Sequence, residues 1–471
     1  MPTERSATRT SSQETQEKTA KTTPTHQRTL PGVNPLALVA VYILLAVLPL
    51  ILSALQGIPS RGFFHEVSSA LVMIGFVMLL VQFVLSGRFK QVSGQIGIDV
   101  TMRFHQLVAR SVLLFIVLHP LLYAAPEIVL QPAEGVAQLN RMFASDGLRT
   151  GVIAWWLLII VVALAIFRDR LPFGYEAWRL SHAVGALAIA LLSLNHTLAV
   201  GTYAEGRVLA GFWVVLTAVA VLTLAYVYLV KPLLQLREPY TVVGNEKVAD
   251  RTWEVTVEPQ KGEAIDFAPG QFVWLNLGHS PFSLVEHPFS ISSAPADRPR
   301  IAFTIKENGD FTNRIGEIAA GTRAYLDGPH GFFTPAGRPP TGMVFIAGGV
   351  GFAPIMGMLR QFHAERYDKP LRLIYGNRVE SQILYRAETQ AIAETLDLKV
   401  HHVLTEPPEG WQGLVGELSA DVLEQCLSDA DRRNWLYFVC GPSPMLTSAE
   451  ATLRNLGVPA ERIVYERFTY D

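Results

Sequence analysis

Six long apolar runs, all before residue 232, constrain this 471-residue chain more than any other feature. They are Pro35 to Leu55, Glu66 to Leu85, Phe104 to Ala124, Thr150 to Phe167, Leu180 to Val200 and Val208 to Val230. Crossing about 30 Å of hydrocarbon takes roughly 20 helical residues, and a helix satisfies its own backbone polar groups in lipid. The runs are therefore expected to form a bundle of six transmembrane helices over residues 34–231. Residues 1–33 are rich in Thr, Ser, Gln and charge, so they cannot bury enough apolar surface to fold alone and are expected to be a disordered tail. No signal-peptide pattern precedes the first run, which is long enough to span.

Basic residues in short connections set the orientation. The second-to-third and fourth-to-fifth connections carry Arg88, Lys90, Arg103, Arg168, Arg170 and Arg179, whereas the other three hold Arg61, Arg141, Arg149 and Arg207. The richer side is expected to be cytoplasmic. With an even number of spans, both termini then lie inside a multi-pass protein of the inner (plasma) membrane. Trp155, Trp156 and Trp178 are either interfacial anchors or packing residues.

The third run carries His105 and His119, and the fifth carries His182 and His196, each pair separated by 14 residues. At about 100° per residue, 14 residues come within roughly 40° of whole turns, so each pair shares a helix face, with about 21 Å between its members. Both helices are expected to run outward, which sets His105 level with His182 and His119 level with His196. Two facing imidazoles hold one haem iron axially, so two b-type haems are expected, one above the other. A zinc site would need its ligands clustered within about 2.1 Å of one ion. Arg110, in the third run, either meets a haem propionate or snorkels to the interface. The chain has two cysteines, Cys426 and Cys440, too few for a cluster held by four thiolates.

Beyond Lys231 the composition becomes that of a soluble protein. Alternating polar and apolar residues with Pro and Gly breaks suggest short antiparallel strands over 236–336, as in a small β-barrel. From MVFIAGGVGFAP onward, strand candidates alternate with helical patterns, which argues for a doubly wound α/β domain with a parallel sheet over 340–471. Gly348, Gly349 and Gly351 follow a strand and open a helix, where a pyrophosphate could approach backbone N–H groups. The segment IKENGDFTNRIGE could form a strand, a turn and a short helix facing another phosphate. A formal charge of −2 and the lack of a basic stripe give no sign of a nucleic-acid partner.

HPFS at 287–290, IKENGDFT, GPHGFF at 328–333, GGVGFAP at 348–354 and CGPSPM at 440–445 occur in the order seen in the ferredoxin–NADP reductase superfamily. With the paired histidines, they make the chain resemble bacterial members of the NADPH oxidase and ferric reductase family, over roughly residues 35–471. That resemblance implies that His287, Pro288, Phe289 and Ser290 cradle FAD, with Ser290 near the flavin ring and His287 near the pyrophosphate. It implies Ile305 and Lys306 on the adenosine side, and Gly309 and Thr312 at the phosphates. Gly348, Gly349 and Gly351 would carry the nicotinamide nucleotide's phosphates, and Cys440, Gly441 and Pro442 would border the nicotinamide, with Cys440 near the hydride path. Phe468 would shield the flavin, with Tyr470 as the alternative. Arg378 favours NADPH, because a cation suits the 2′-phosphate, while nearby Glu380 leaves NADH possible.

A hydride brings two electrons and haem iron takes one at a time, so the flavin belongs between them. The expected route runs from NAD(P)H through FAD to the inner haem at His105 and His182, then to the outer haem at His119 and His196, and out to oxygen or a ferric chelate. An alternative is a haem-bearing subunit serving a separate periplasmic reductase partner. No Ser-His-Asp order or H-E-x-x-H motif points to hydrolysis.

Overall fold

The computed structural model describes residues 32–466 apart from 87, 173, 339 and 429. The expected tail up to residue 31 and the two candidate shielding aromatics, Phe468 and Tyr470, lie outside the described residues. Six helices among the described residues are long and apolar enough to cross a membrane. They are built from α1 (Pro35–Ala54), α2 (Phe63–Ser86), a short α3 (Lys90–Ser93), α4 (Ile98–Leu130), α5 (Pro132–Ala144), α6 (Arg149–Ile166), α7 (Tyr175–Val200) and α8 (Arg207–Ala225), the last continuing through a π-turn at Tyr226–Val230 into α9 (Lys231–Gln235). The third span is longer than its apolar run. It continues through Pro120 and Pro126, and what reads as a loop from Ala125 to Arg149 contains the amphipathic helix α5.

Proline inside a helix leaves the carbonyl four residues earlier without its usual donor. For Pro120 that carbonyl belongs to Ile116, and the Trp155 indole N–H of α6 donates to it at 3.1 Å. Trp155 therefore ties α6 to α4 and is a packing residue, whereas Trp156 is 53% exposed. Trp178 lies against His182, with ring centroids 5.4 Å apart.

The second region is an antiparallel sheet of β1 (Tyr240–Ala249), β2 (Thr252–Pro259), β3 (Phe272–Leu277), β4 (His287–Ser290), β5 (Ile301–Lys306) and β6 (Arg323–His330), ordered β4-β3-β6-β1-β2-β5. A bridge from Ile291, just past β4, to Phe303 of β5 brings the two edges together and curls the sheet into a barrel. Val255, Val257, Leu275, Ile301, Phe303 and Ile305 fill it.

The third region has an all-parallel sheet ordered β10-β9-β8-β7-β11-β12. In chain order it comprises β7 (Met343–Gly348), α10 (Phe352–Glu365), β8 (Leu371–Asn377), α11 (Arg386–Thr395), β9 (Leu398–Leu404), β10 (Leu414–Val415), α12 (Ala420–Cys426), β11 (Leu436–Cys440), α13 (Ser443–Asn455) and β12 (Ile463–Tyr465). Its strands read as continuous apolar runs because both faces are covered. Arg360 of α10 joins this domain to the barrel, donating to Glu254 at 2.9 Å, to the Ser292 carbonyl at 2.9 Å and to Glu388 at 2.7 Å.

The barrel is also locked to the bundle. Arg88 and Arg179 both donate to Glu286 Oε1 at 2.7 Å, Lys231 donates to Asp327 Oδ2 at 2.6 Å, and Lys90 donates to the Gly328 carbonyl at 2.9 Å. Arg88 also stacks over Trp274, 3.6 Å from the ring centroid. The connections richest in basic residues thus face the barrel.

Candidate functional site

Ile98, at the start of α4, packs with Phe272 and Trp274 of the barrel, and Arg179, near the start of α7, pairs with Glu286. Both helices therefore leave the barrel in the same direction, which sets the two histidine pairs at matching levels. His105 and His182 face each other with ring centroids 6.4 Å apart. Two imidazoles bonded to one ion from opposite sides, with metal–nitrogen bonds of about 2.0 Å, have centroids about 6.3 Å apart. Farther from the barrel, His119 and His196 line one cavity of about 310 Å³, shared with Met73, Phe76, Leu158 and Trp213. That volume lies within the range of about 300–1,000 Å³ usual for small-molecule sites, and its walls are mainly apolar.

The Nδ1 atoms of His105, His182 and His196 are buried without a hydrogen-bond partner among the described residues. No group of three or more His, Cys, Asp or Glu able to hold a metal ion occurs there either. Paired imidazoles without carboxylate or thiolate company fit a macrocycle that supplies its own four equatorial donors, and they do not fit a bare ion. The residues present thus suit haem. Arg110 is exposed.

Gly151 of α6 makes the place for His196. A Cβ there would lie 2.5 Å from His196 Nδ1. Gly151→Val is therefore expected to push the ring off its position and remove about half of the bound haem, leaving the His105 pair loaded. Haem per chain, measured by absorption after extraction, checks this.

Polar contacts line one end of the cavity. Arg61 donates to Thr202 at 2.7 Å and to Ser69 at 2.9 Å, and the Tyr203 hydroxyl donates to Glu66 at 2.5 Å. In the sequence Arg61 stands only as one charge in a loop.

On the barrel, HPFS forms β4, with His287 stacked on Phe311 at 4.4 Å. Burial holds the His287 imidazole below its ordinary pKa, and its Nε2 is buried without a partner among the described residues. With its proton on Nε2, the neutral ring would offer a donor to a phosphate oxygen beside an open loop. That loop turns at Gly309, where φ is +109° and nothing lies within 4 Å of a notional Cβ. Thr312 Oγ1 accepts from the Asn308 N–H at 2.8 Å, bracing the turn. Pro288, Phe289 and Ser290 are half-buried, and Lys306 is exposed. The Ile305 side chain is 1% exposed in the barrel core, leaving its backbone and Lys306 for any ligand. The expected short helix after Gly309 is a 3₁₀ turn, Thr312–Glu317.

In the α/β domain the three glycines differ in what they do. Gly349, at φ +53°, opens onto empty space, as a phosphate cradle requires. A Cβ on Gly348 would meet Met445 Sδ at 2.5 Å, and one on Gly351 would meet the Cys440 backbone, so these two permit close packing against the start of α13 and the end of β11. Cys440 is 1% exposed, and burial, together with nearby Glu466, pushes its thiol up, which excludes it as a thiolate nucleophile. Gly441 is half-buried and Pro442 exposed beside it. Arg378 donates to Glu406 at 3.1 Å in an exposed pair. Such pairs contribute about 0–1 kcal/mol, so Glu406 does not bar Arg378 from a phosphate.

Glu466 is the residue that sequence reasoning passes over. It lies within YERFTYD, where only the aromatics carry a recognisable signal. It is 4% exposed, and both carboxyl oxygens lack a partner among the described residues. Burial first, then the charge of Asp99, pushes its pKa up to about 8. A Cβ on Gly331 of the barrel would lie 2.9 Å from its Oε2. Glu466, just past β12, thus meets the barrel at Gly331 and feels the charge of Asp99 at the start of α4, which is about 9 Å along the helix axis from His105.

This carboxyl stays protonated in the folded chain while the unfolded chain ionises from about pH 4.5. Its contribution to stability is fully present below that value and is lost as pH rises towards 8, at about 1.4 kcal/mol per pH unit. Glu466→Gln is expected to flatten the fall in Tm between pH 5 and 8. Parallel pH slopes for the two proteins would contradict this.

A bundle with paired histidines, a barrel and a doubly wound domain define a membrane oxidoreductase with a flavin- and nicotinamide-binding reductase module. Residues 71–193 match the ferric reductase like transmembrane component, residues 248–327 an FAD-binding domain and residues 345–451 the oxidoreductase NAD-binding domain. These three in this order are the domain architecture of the NADPH oxidase and ferric reductase family. It is 31% identical over 223 residues to ferredoxin–NADP reductase B of Sorangium cellulosum, spanning 46% of this chain and 91% of that one. It is 34% identical over 161 residues to NADH-cytochrome b5 reductase 1 of Meyerozyma guilliermondii, spanning 34% of this chain and 56% of the relative. The chain spans about half the length of the NADH-cytochrome b5 reductases of Meyerozyma guilliermondii and Lodderomyces elongisporus. Among solved structures, the ferredoxin reductase in carbazole 1,9a-dioxygenase aligns with a TM-score of 0.43 at 24% identity, covering 49% of this chain and 69% of that one.

Proposed function

We propose that this protein carries electrons from cytoplasmic NAD(P)H, through FAD and two b-type haems, to an acceptor across the plasma membrane, either dioxygen or a ferric chelate. The observation that carries this reading is the His105–His182 pair at 6.4 Å, on the side of the bundle that meets Glu466 and the barrel, with a second pair beyond it in a far-side cavity. Bound flavin would supply the step from hydride to single electrons, and the haems would supply one-electron carriers across the membrane.

The chain's own residues do the rest. His287, Ser290, Gly309 and Thr312 bind and orient the flavin nucleotide. Gly349 admits the nicotinamide nucleotide's phosphates, and Arg378 offers its charge to a 2′-phosphate, which makes NADPH the favoured donor. Cys440 and Gly441 border the nicotinamide, and buried Glu466 keeps a proton beside them at neutral pH. Apolar walls around the histidines exclude water from the route.

The test is anaerobic mixing of purified, FAD-loaded protein with NADPH, and with NADH in parallel, while following the haem absorption bands. Rapid haem reduction supports the reading and names the donor. Haems that stay oxidised with both nucleotides, yet are reduced by dithionite, would overturn the self-contained route. Superoxide trapping against ferric reduction then separates the two acceptors.

A further inference from the structure

Of the four histidines, His119 alone has its Nδ1 within hydrogen-bond reach of another residue among the described ones. Ser68, on α2 and 0% exposed, places Oγ 2.8 Å from His119 Nδ1 and 2.9 Å from the His119 backbone carbonyl. A carbonyl oxygen only accepts, so the hydroxyl proton goes to it, and Oγ is left to accept from Nδ1–H. This fixes the tautomer. Nδ1 carries the proton and Nε2 presents a bare lone pair, the form in which an imidazole binds iron. The reverse arrangement, with the hydroxyl donating to Nδ1, would put the proton on Nε2 and block coordination.

We infer that Ser68 is a positioning residue for the outer haem, and that by accepting from His119 it makes this haem the more reducing of the two. The inference rests on the haem reading above and adds an asymmetry to it. An acceptor on the far ring nitrogen raises the basicity of the ligand. A more basic axial ligand stabilises ferric over ferrous iron and so lowers the midpoint potential. His105, His182 and His196 have no such acceptor among the described residues. The extra electron density therefore goes only to the last carrier, where a low potential favours passing one electron to an outside acceptor. Placement supports the pairing, because α2 and α4 approach closely along this face: a Cβ on Gly75 would lie 3.6 Å from Phe115 and Ile116.

Spectroelectrochemical titration of the full-length, haem-loaded protein tests this with Ser68→Ala and Ser68→Thr. The alanine variant is expected to keep both haems and to shift the outer midpoint upward, with the inner midpoint unmoved. The threonine variant, which retains the hydroxyl, is expected to titrate like the wild type. Loss of the outer haem in S68A but not in S68T would also support the assignment. An unshifted outer midpoint in haem-replete S68A, or equal shifts in both variants, would overturn it. Failure of the haem reading itself looks different: His119→Leu would then leave haem content unchanged.

Discussion

His105→Leu is expected to lower bound haem by about half and to abolish nucleotide-driven reduction of the haem that remains, while NADPH still bleaches the flavin at its normal rate. The reason is geometric. His105 and His182 stand on the side of the bundle that meets the barrel and Glu466, and the second pair lies about 21 Å farther along the same helices. Without the nearer pair, no carrier bridges that gap. His119→Leu is the matched control. It should also lose about half of the haem, but the remaining half should be reduced as fast as in the wild type, and only transfer to the outside acceptor should stop. Both variants keep the reductase domains intact, so flavin reduction separates a broken route from a misfolded protein. Similar behaviour of the two variants would contradict the order of the carriers.

Asp327→Asn should have the second largest effect. Asp327 Oδ2 accepts from Lys231, Oδ1 accepts from His330 Nε2–H at 3.1 Å, and Arg88 lies at 3.5 Å. Burial pushes this carboxyl up, but the His330 hydrogen bond and the two cations outweigh it and hold the group well below the usual carboxylate range. Removing its charge leaves Lys231 without its counter-charge at the barrel, while Arg88 keeps Glu286 at 2.7 Å. Breaking a buried pair from one side costs about 3–5 kcal/mol. The barrel is expected to loosen from the bundle, so flavin reduction persists while haem reduction slows at least about tenfold, a factor that only about 1.4 kcal/mol would produce. Comparing the two rates in one stopped-flow experiment checks it. Unchanged haem reduction would show that this contact does not set the docking.

The histidine ladder was legible because two copies of one spacing, each on a helix long enough to span, repeat a pattern that core packing does not demand. The spans were legible because lipid requires long apolar runs. The α5 helix was not, because a 13-residue amphipathic stretch between two spans has the polarity of a loop. Arg88, Lys90 and Arg179 read as topology signals, yet they also bind the barrel, and only folding brings Glu286 and Gly328 to them. Ser68 and Gly151 carry no sequence mark at all. Their importance comes from lying opposite a histidine 51 or 45 residues away, which only helix packing determines. Glu466 is hidden for a similar reason: nothing in its neighbours along the chain signals that it is buried beside Gly331 of the barrel and within reach of the charge of Asp99.

Haem stoichiometry with coordination state tests the central claim most directly. Purified chain supplied with haem, extracted for quantitation and examined by low-temperature electron paramagnetic resonance, should hold two b-type haems per chain, both low-spin with two histidine ligands. A single haem, a high-spin signal from an open axial position, or no haem at all would contradict the pairing of His105 with His182 and of His119 with His196.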